Sequence, residues 1–386
     1  MGEKRVLMKR LPLPAKLPDP LSDTYVQLVL NKSLYLCYGL RAMIKRILIF
    51  IFFGIIISPS FSQTGGDNIY EFLNLTHSGL VSSLGGSNVS LQGNNLNLAY
   101  HNPALLNSGM NKTLALNYVN YFAGINYGLA MYSRSYPGTG NFAAGLTYLN
   151  YGSFTETDVS GVIAGNFSAA EYAFSMIYSR AIDSLFTIGV NFKPVLSHLE
   201  KYTSFGFAFD IGAAWHNPGN RFSAGLVIKN AGYQVTTYAG EPRQNLPFEI
   251  QAGVSQKLAH APFRFSLTMK HLEKFDLTHE YTAPAPPGTS TPRSSEFMEN
   301  LLRHAVLGVE LIPHKNFYIS AGYNYQRRRE LEVDSKVSTV GLSWGFGINT
   351  SWMDIEFGRA TYHLAGSSTN LSLILRPDNI YKKYRN

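Results

Sequence analysis

Phe186-Thr187-Ile188-Gly189-Val190-Asn191-Phe192-Lys193 alternates a bulky apolar residue with a small or polar one at every step. Successive side chains of an extended chain point to opposite faces. The stretch therefore reads as a strand with one apolar and one polar face. The same period of two returns along the chain. Phe222, Ala224, Leu226 and Ile228 alternate with Ser223, Gly225 and Lys229. Phe248, Ile250, Ala252 and Val254 alternate with Glu249, Gln251, Gly253 and Ser255. Phe263, Phe265, Leu267 and Met269 alternate with Arg264, Ser266, Thr268 and Lys270. Phe317, Ile319, Ala321, Tyr323 and Tyr325 alternate with Ser320, Gly322, Asn324 and Gln326.

Fourteen segments of this kind are predicted: 112–120, 124–134, 141–152, 171–180, 184–195, 204–215, 221–230, 247–257, 262–273, 303–313, 316–327, 336–346, 351–360 and 368–376. Most run nine to thirteen residues. Strands of soluble proteins average about 5–6 residues, whereas a tilted strand crossing a bilayer needs about 9–11. From the second segment on, short connections (135–140, 181–183, 216–220, 258–261, 314–315, 347–350) alternate with longer ones (153–170, 196–203, 231–246, 274–302, 328–335, 361–367). Outer-membrane barrels show this parity, with short periplasmic turns and long extracellular loops. The first connection, near Tyr121, is the short exception. The fold class expected is all-β: a fourteen-stranded antiparallel transmembrane barrel. Its apolar faces meet lipid, and its polar faces, with Lys193, Lys229, Glu249, Arg264, Lys270 and Glu310, line the lumen. Tyr148, Tyr151, Tyr172, Tyr178, Phe317 and Tyr325 are expected in the interfacial aromatic girdles.

Upstream, Met43-Ile44-Lys45-Arg46 precedes an apolar block, Ile47 to Ile57, and Ser60-Phe61-Ser62 offers a small-x-small cleavage site. This is the layout of a secretory signal peptide. The expected organisation is an upstream extension over 1–42 from an early start assignment, and a signal peptide over 43–62. A plug or cap over 63–111, a barrel over 112–376 and a tail over 377–386 follow. Within 63–111, Ile69–Leu75 reads as a short helix and Ser87–Leu91 as a short strand. Residues 1–62 carry nine Lys or Arg against three Asp or Glu, six of the chain's eight net positive charges. The remainder is nearly neutral, so the composition does not point to nucleic acid. The single cysteine, Cys37, falls in the upstream extension.

Catalytic chemistry has no foothold in the sequence. Ten histidines occur without metal-ligand spacing, no Ser stands three residues before a Lys, and no glycine-rich phosphate loop opens a helix. No catalytic, metal or cofactor-binding residue is therefore assigned, and no cofactor is expected. Arg327-Arg328-Arg329-Glu330 falls in a long loop and reads as a charged run facing solvent or lipopolysaccharide. Ser294–Leu302, at the end of the longest loop, carries a helix N-cap pattern with an apolar face for the barrel rim. Trp215 and the rim aromatics are further contact candidates.

The opening of the exported part carries a family resemblance. Asn68-Ile69-Tyr70-Glu71-Phe72-Leu73-Asn74-Leu75 is followed by Ser83-Leu84-Gly85-Gly86-Ser87 and by Leu98-Ala99-Tyr100-His101-Asn102-Pro103-Ala104. The chain resembles the PorQ family of the type IX secretion system of Bacteroidetes and, more loosely, the PorV and FadL-type barrels. Tyr70, Phe72, Leu73, Gly85, Gly86, Asn102, Pro103 and Ala104 are the matching motif residues. The resemblance implies a FadL-like barrel with an N-terminal plug or cap, embedded in outer-membrane lipid and lipopolysaccharide. It implies a non-enzymatic anchor for a PorZ-like surface protein, working beside PorU-like and PorV-like components of a cargo-attachment complex. A FadL-like transporter of hydrophobic small molecules is the alternative, and the many Lys, Arg, Glu, Asn and Ser expected in the lumen fit it less well. Against the habit of many outer-membrane barrels, Leu371, Leu373 and Leu375 close the last strand where a terminal aromatic is usual.

Overall fold

The computed structural model describes residues 68–277, 293–331, 339–363 and 366–379, without the side chains of 293–296 and 363. The upstream extension, the leader, the proline-rich part of the longest loop and the end of the tail lie outside the described residues. The strands are β1 (Leu114–Asn120), β2 (Asn126–Tyr136), β3 (Gly140–Thr157), β4 (Ile163–Ala181), β5 (Phe186–Leu199), β6 (Tyr202–Asn217) and β7 (Phe222–Thr236). They continue as β8 (Glu249–Lys257), β9 (Phe263–Met269), β10 (Ala305–His314), β11 (Phe317–Asn324), β12 (Leu342–Asn349), β13 (Met353–His363) and β14 (Gly366–Leu375). Each pairs antiparallel with its sequence neighbours, and β1 pairs with β14 from Leu114↔Leu375 to Asn120↔Thr369. The sheet is thus a closed barrel with no free edge. Within the wall closure pairs each strand on both sides, which hydrocarbon demands. Among the described residues no helix is long and apolar enough to cross a membrane.

The alternation read from the sequence sets the two faces. In β5, Phe186, Ile188 and Val190 are exposed on the outside, while Gly189, Asn191 and Lys193 face in and Asn191 and Lys193 are buried. All six charged residues assigned to the lumen point inward, Lys193, Lys229, Glu249 and Glu310 being at most 4% exposed.

Several boundaries move. The segment 153–170, expected as a loop, is largely strand: β3 and β4 run on as a ribbon, with Ser153 opposite Ser168 and Phe154 opposite Phe167. The two Phe rings stack at 5.2 Å, a cross-strand pair of the kind that holds a ribbon together beyond the wall. Gly152-Ser153 is accordingly in a strand. Residues 325–327, expected at the end of a strand, begin a helix, Tyr325–Leu331. Asn324 starts it, its Oδ1 accepting from Arg327 N at 2.9 Å. Ser87–Leu91 is no strand: Asn88 Oδ1 accepts from Ser90 N (3.1 Å) and Leu91 N (2.9 Å), which curls the backbone into a turn. Ile69–Leu75 keeps one turn of 3-10 helix, Glu71–Asn74. The strand placed at 336–346 runs from Leu342 to Asn349.

The girdle assignment holds for some rings only. Tyr148 and Tyr172 pair on the outside at 5.0 Å, as do Phe142 and Tyr178. Tyr151 instead donates to the buried Glu171 at 2.6 Å, and Tyr325 sits in the loop helix.

Candidate functional site: a seated plug beneath a charged mouth

Residues 68–113 occupy the inside of the barrel. They enter at the long-loop end, where Asn68 bridges Asn245 and Ile69 N donates to Asn245 O at 2.9 Å. They leave at the short-turn end, where Asn111 Oδ1 accepts from Ser135 N at 2.9 Å and Lys112 meets Asp378 at 2.6 Å. Short polar side chains attach this plug to inward-facing strand residues along its length. Ser83 Oγ lies 2.6 Å from Ser320 Oγ, and Ser90 Oγ lies 2.7 Å from Ser255 Oγ. Ser87 Oγ donates to Gln251 Oε1 at 2.8 Å, and Asn117 Nδ2 donates to Asn97 Oδ1 at 2.7 Å. Apolar clusters fill the spaces between, one built on Leu96, Tyr100, Leu106 and Met110 against Ala115, Leu129, Met131 and Ile374.

The motif residues are spread over three levels of this plug and do not converge on one site. Tyr70 is buried, its hydroxyl 2.6 Å from Ser204 Oγ, with a left-handed backbone at φ 62°. Phe72 and Leu73 pack among Val119, Tyr127, Leu149 and Val195 near the long-loop end. Gly85 and Gly86 have φ of 98° and 93°, which favours glycine, and a Cβ on Gly85 would collide with Val306 Cγ1. Asn102 is fully buried: Oδ1 accepts from Ala104 N at 3.0 Å, and Nδ2 donates to Val89 O at 2.8 Å and Ala213 O at 3.3 Å. Pro103 lies so close against Gly189 that a Cβ there would run into its backbone, and Ala104 is buried beside it. Their visible work is to seat the plug.

Charged pairs that the sequence left unmatched join neighbouring strands along the inner wall. Lys193 Nζ lies 2.7 Å from Asp210 Oδ1 with both side chains 1% exposed. Arg264 makes two bonds of 2.6 Å to the Glu310 carboxylate. Arg376 engages Asp354, one contact being 2.9 Å. The buried Glu249 carboxylate faces Lys270 Nζ at 3.5 Å and His271 Nε2 at 3.6 Å. The alternation signals that these residues face inward, but nothing local signals which meets which.

Above the plug, at the long-loop end, a cavity of about 340 Å³ is bounded by Glu71, Lys270, His271, Glu273, Arg327 and Tyr362. Arg327 holds its guanidinium 4.0 Å over the Tyr362 ring, a cation–π contact. Beside it, the helix Arg293–Arg303 meets the helix Tyr325–Leu331. Glu299 joins them, reaching Arg303 and Arg329 at 3.0 Å each. Partial burial pushes the Glu299 carboxyl up, and the hydrogen bonds from Arg303 and Arg329 outweigh it and hold the group below the ordinary glutamate range. Phe275, Phe297 and Met298 remain more than half exposed there, with Phe275 and Phe297 rings 5.5 Å apart. Of the longer connection 231–246, residues 231–236 belong to β7, and Leu246 is buried against the plug. Trp215 is not part of this mouth: it is at the opposite, short-turn end of β6, edge-on to Phe222 at 5.7 Å. Among the described residues no three His, Cys, Asp or Glu stand together as metal ligands.

No protein-family profile matches the chain, and no curated protein matches it. Solved structures do. The toluene transporter TodX of Pseudomonas putida is similar at 11% identity and a TM-score of 0.47, over 78% of this chain and 97% of that one. A FadL homologue of Pseudomonas aeruginosa is similar at 12% identity and a TM-score of 0.43, over 78% of this chain and 98% of that one. Likenesses this distant transfer no activity. The closed fourteen-stranded barrel stands on its own strand pairing.

Proposed function

We propose that the protein is a non-enzymatic outer-membrane barrel that holds a surface protein at its long-loop end. The finer reading, carried by the resemblance of residues 68–104, is a PorZ-like partner within a type IX cargo-attachment complex with PorU-like and PorV-like components. On this reading residues 43–62 are a signal peptide and the exported chain begins near Gln63. The observation that supports it is the plug: it lies inside the barrel, hydrogen-bonded to the wall along its length and packed with fully buried leucines. What remains for interaction is the mouth above it, with exposed Phe275, Phe297 and Met298 beside a charged cavity. Large exposed aromatics of this kind are common anchors of protein interfaces.

A second reading is a conduit for small hydrophobic molecules, as TodX is for toluene. A specific feature favours it. The lipid-facing wall bears an apolar groove of about 480 Å³ between Val254, Phe265, Leu267, Leu307, Tyr323 and Leu342.

One experiment separates the two. Ser83→Cys with Ser320→Cys, at a pair whose hydroxyls are 2.6 Å apart, locks the plug to β11. An anchor keeps its surface partner and its secreted cargo in place when the lock is closed. A conduit that works by plug movement loses hydrophobic uptake on oxidation and regains it on reduction. Partner retention lost in the locked form sinks the first reading.

A further inference from the structure

We infer that the short-turn mouth of the barrel holds a binding site for a phosphate-class anion, in the pocket between β6–β9 and the plug turn at Gly93. The cavity is about 420 Å³. Among the described residues that line it are His216, Arg221, Lys257 and Arg264, and none is Asp or Glu. Only 15% of the chain's residues are charged, yet Arg221 and Lys257 share this lining with no carboxylate in it, beside Arg264, which Glu310 pairs from behind.

The charges are not all spent elsewhere. Arg264 is engaged by Glu310 and by Gln92 O, which its Nη1 reaches at 3.2 Å. Arg221 commits Nη1 to the carbonyls of Leu258 (3.3 Å) and Ala259 (3.4 Å), leaving its other donors. Its backbone is left-handed at φ 56°, a conformation that an arginine adopts at a cost and that concentrates at functional positions. Lys257 forms no ion pair among the described residues. His216 Nδ1 is enclosed with no hydrogen-bond partner. Beside them, the space where a Cβ on Gly93 would project is open. Like charges sharing a cavity repel, and the repulsion is relieved when an anion enters. Several acceptor oxygens on one centre suit the divergent donors of Arg, Lys and His, which is the chemistry of a phosphoryl group.

Depth supports the same class. Trp215 and Phe222 sit on the outer face at this end, and aromatic girdles mark the headgroup level. The phosphoryl group has two sources, free inorganic phosphate and a phospholipid headgroup.

The test uses the full exported chain, folded in an uncharged detergent, and titration calorimetry. Inorganic phosphate is one probe and short-chain dihexanoyl phosphatidylglycerol the other. The expected result is saturable binding that weakens as sodium chloride is raised. Binding falls at least tenfold in the double variant Lys257→Gln with Arg221→Asn, and Lys257→Arg retains it. Asparagine is chosen because it tolerates the left-handed backbone. Phosphate binding assigns the site to the free anion, and binding of the lipid alone assigns it to the headgroup. Failure of both probes to saturate in the unaltered protein overturns the inference, as does binding undiminished in a double variant with native heat-modifiable gel migration. Should that variant not fold, the single Lys257→Gln variant is held to the same tenfold criterion.

Discussion

At the scale of single residues, the plug depends on side chains that serve two segments at once. Asn102 makes three hydrogen bonds, one within the plug turn and two to Val89 O and Ala213 O. Asn102→Ala leaves buried carbonyls unpaired, each worth about 1–3 kcal/mol. It is expected to expose the plug to protease at a denaturant concentration that leaves the wall intact. Lys193 and Asp210 give a sharper case. Removing one partner of a buried pair typically costs about 3–5 kcal/mol, whereas replacing both by apolar residues is often neutral. Asp210→Ala is therefore expected to lower the urea midpoint strongly, and Lys193→Met with Asp210→Leu to recover most of the loss. Equal loss in both variants would contradict the pairing. These roles were only half legible in the sequence. The alternation told that Lys193 faces inward, but Asp210 is on another strand, and only the fold brings Asn230 N within 2.8 Å of the same carboxylate.

At the scale of elements, strand existence was readable and element ends were not. All fourteen alternating segments correspond to strands, because a face buried against lipid on one side and plug on the other writes its period into the chain. The ends moved where other contacts took over: Phe154 with Phe167 prolonged a ribbon, and Asn324 capped a helix in place of a strand end. The helix read into Ser294–Leu302 is present, but Phe297, Met298, Leu301 and Leu302 stay exposed and do not lie on the barrel rim as expected. Its fastening through Glu299 to Arg329, in another loop, had no local signal. That fastening gives a pH prediction. The Glu299 carboxyl titrates lower in the folded mouth than in a free chain. Its stabilisation is complete above about pH 4.5 and drains away as pH falls through the depressed value. Hydrogen exchange in the helix Tyr325–Leu331 should rise on acidification below that point, and Glu299→Gln should abolish the dependence.

At the scale of the whole molecule, the barrel presents apolar residues outward and encloses a polar, charged interior. Leu371, on the outer face of β14, is 47% exposed in the isolated protein. A Leu371→Arg change places a charge on the lipid face, costing about 2–4 kcal/mol near the bilayer midplane and less toward its edges. A matched inward change, Ser372→Thr, should cost less. Folding titrations in lipid vesicles read the difference directly, and equal penalties would deny that this face meets hydrocarbon.

The sequence by itself determined that the chain folds as long amphipathic strands in a closed antiparallel barrel, and which side chains of each strand face inward. Periodicity of two is a local property, and lipid and lumen impose it on every strand independently. Only the tertiary structure decided that residues 68–113 descend through the barrel, which charges pair inside it, and that Arg221 and Lys257 meet at the short-turn mouth. The seating of the plug comes from contacts between residues often more than 150 positions apart, such as Ser87 with Gln251 and Ser83 with Ser320, and the charged pairs from the register of neighbouring strands. No short-range pattern encodes such a meeting, because it depends on the register and curvature of the whole wall.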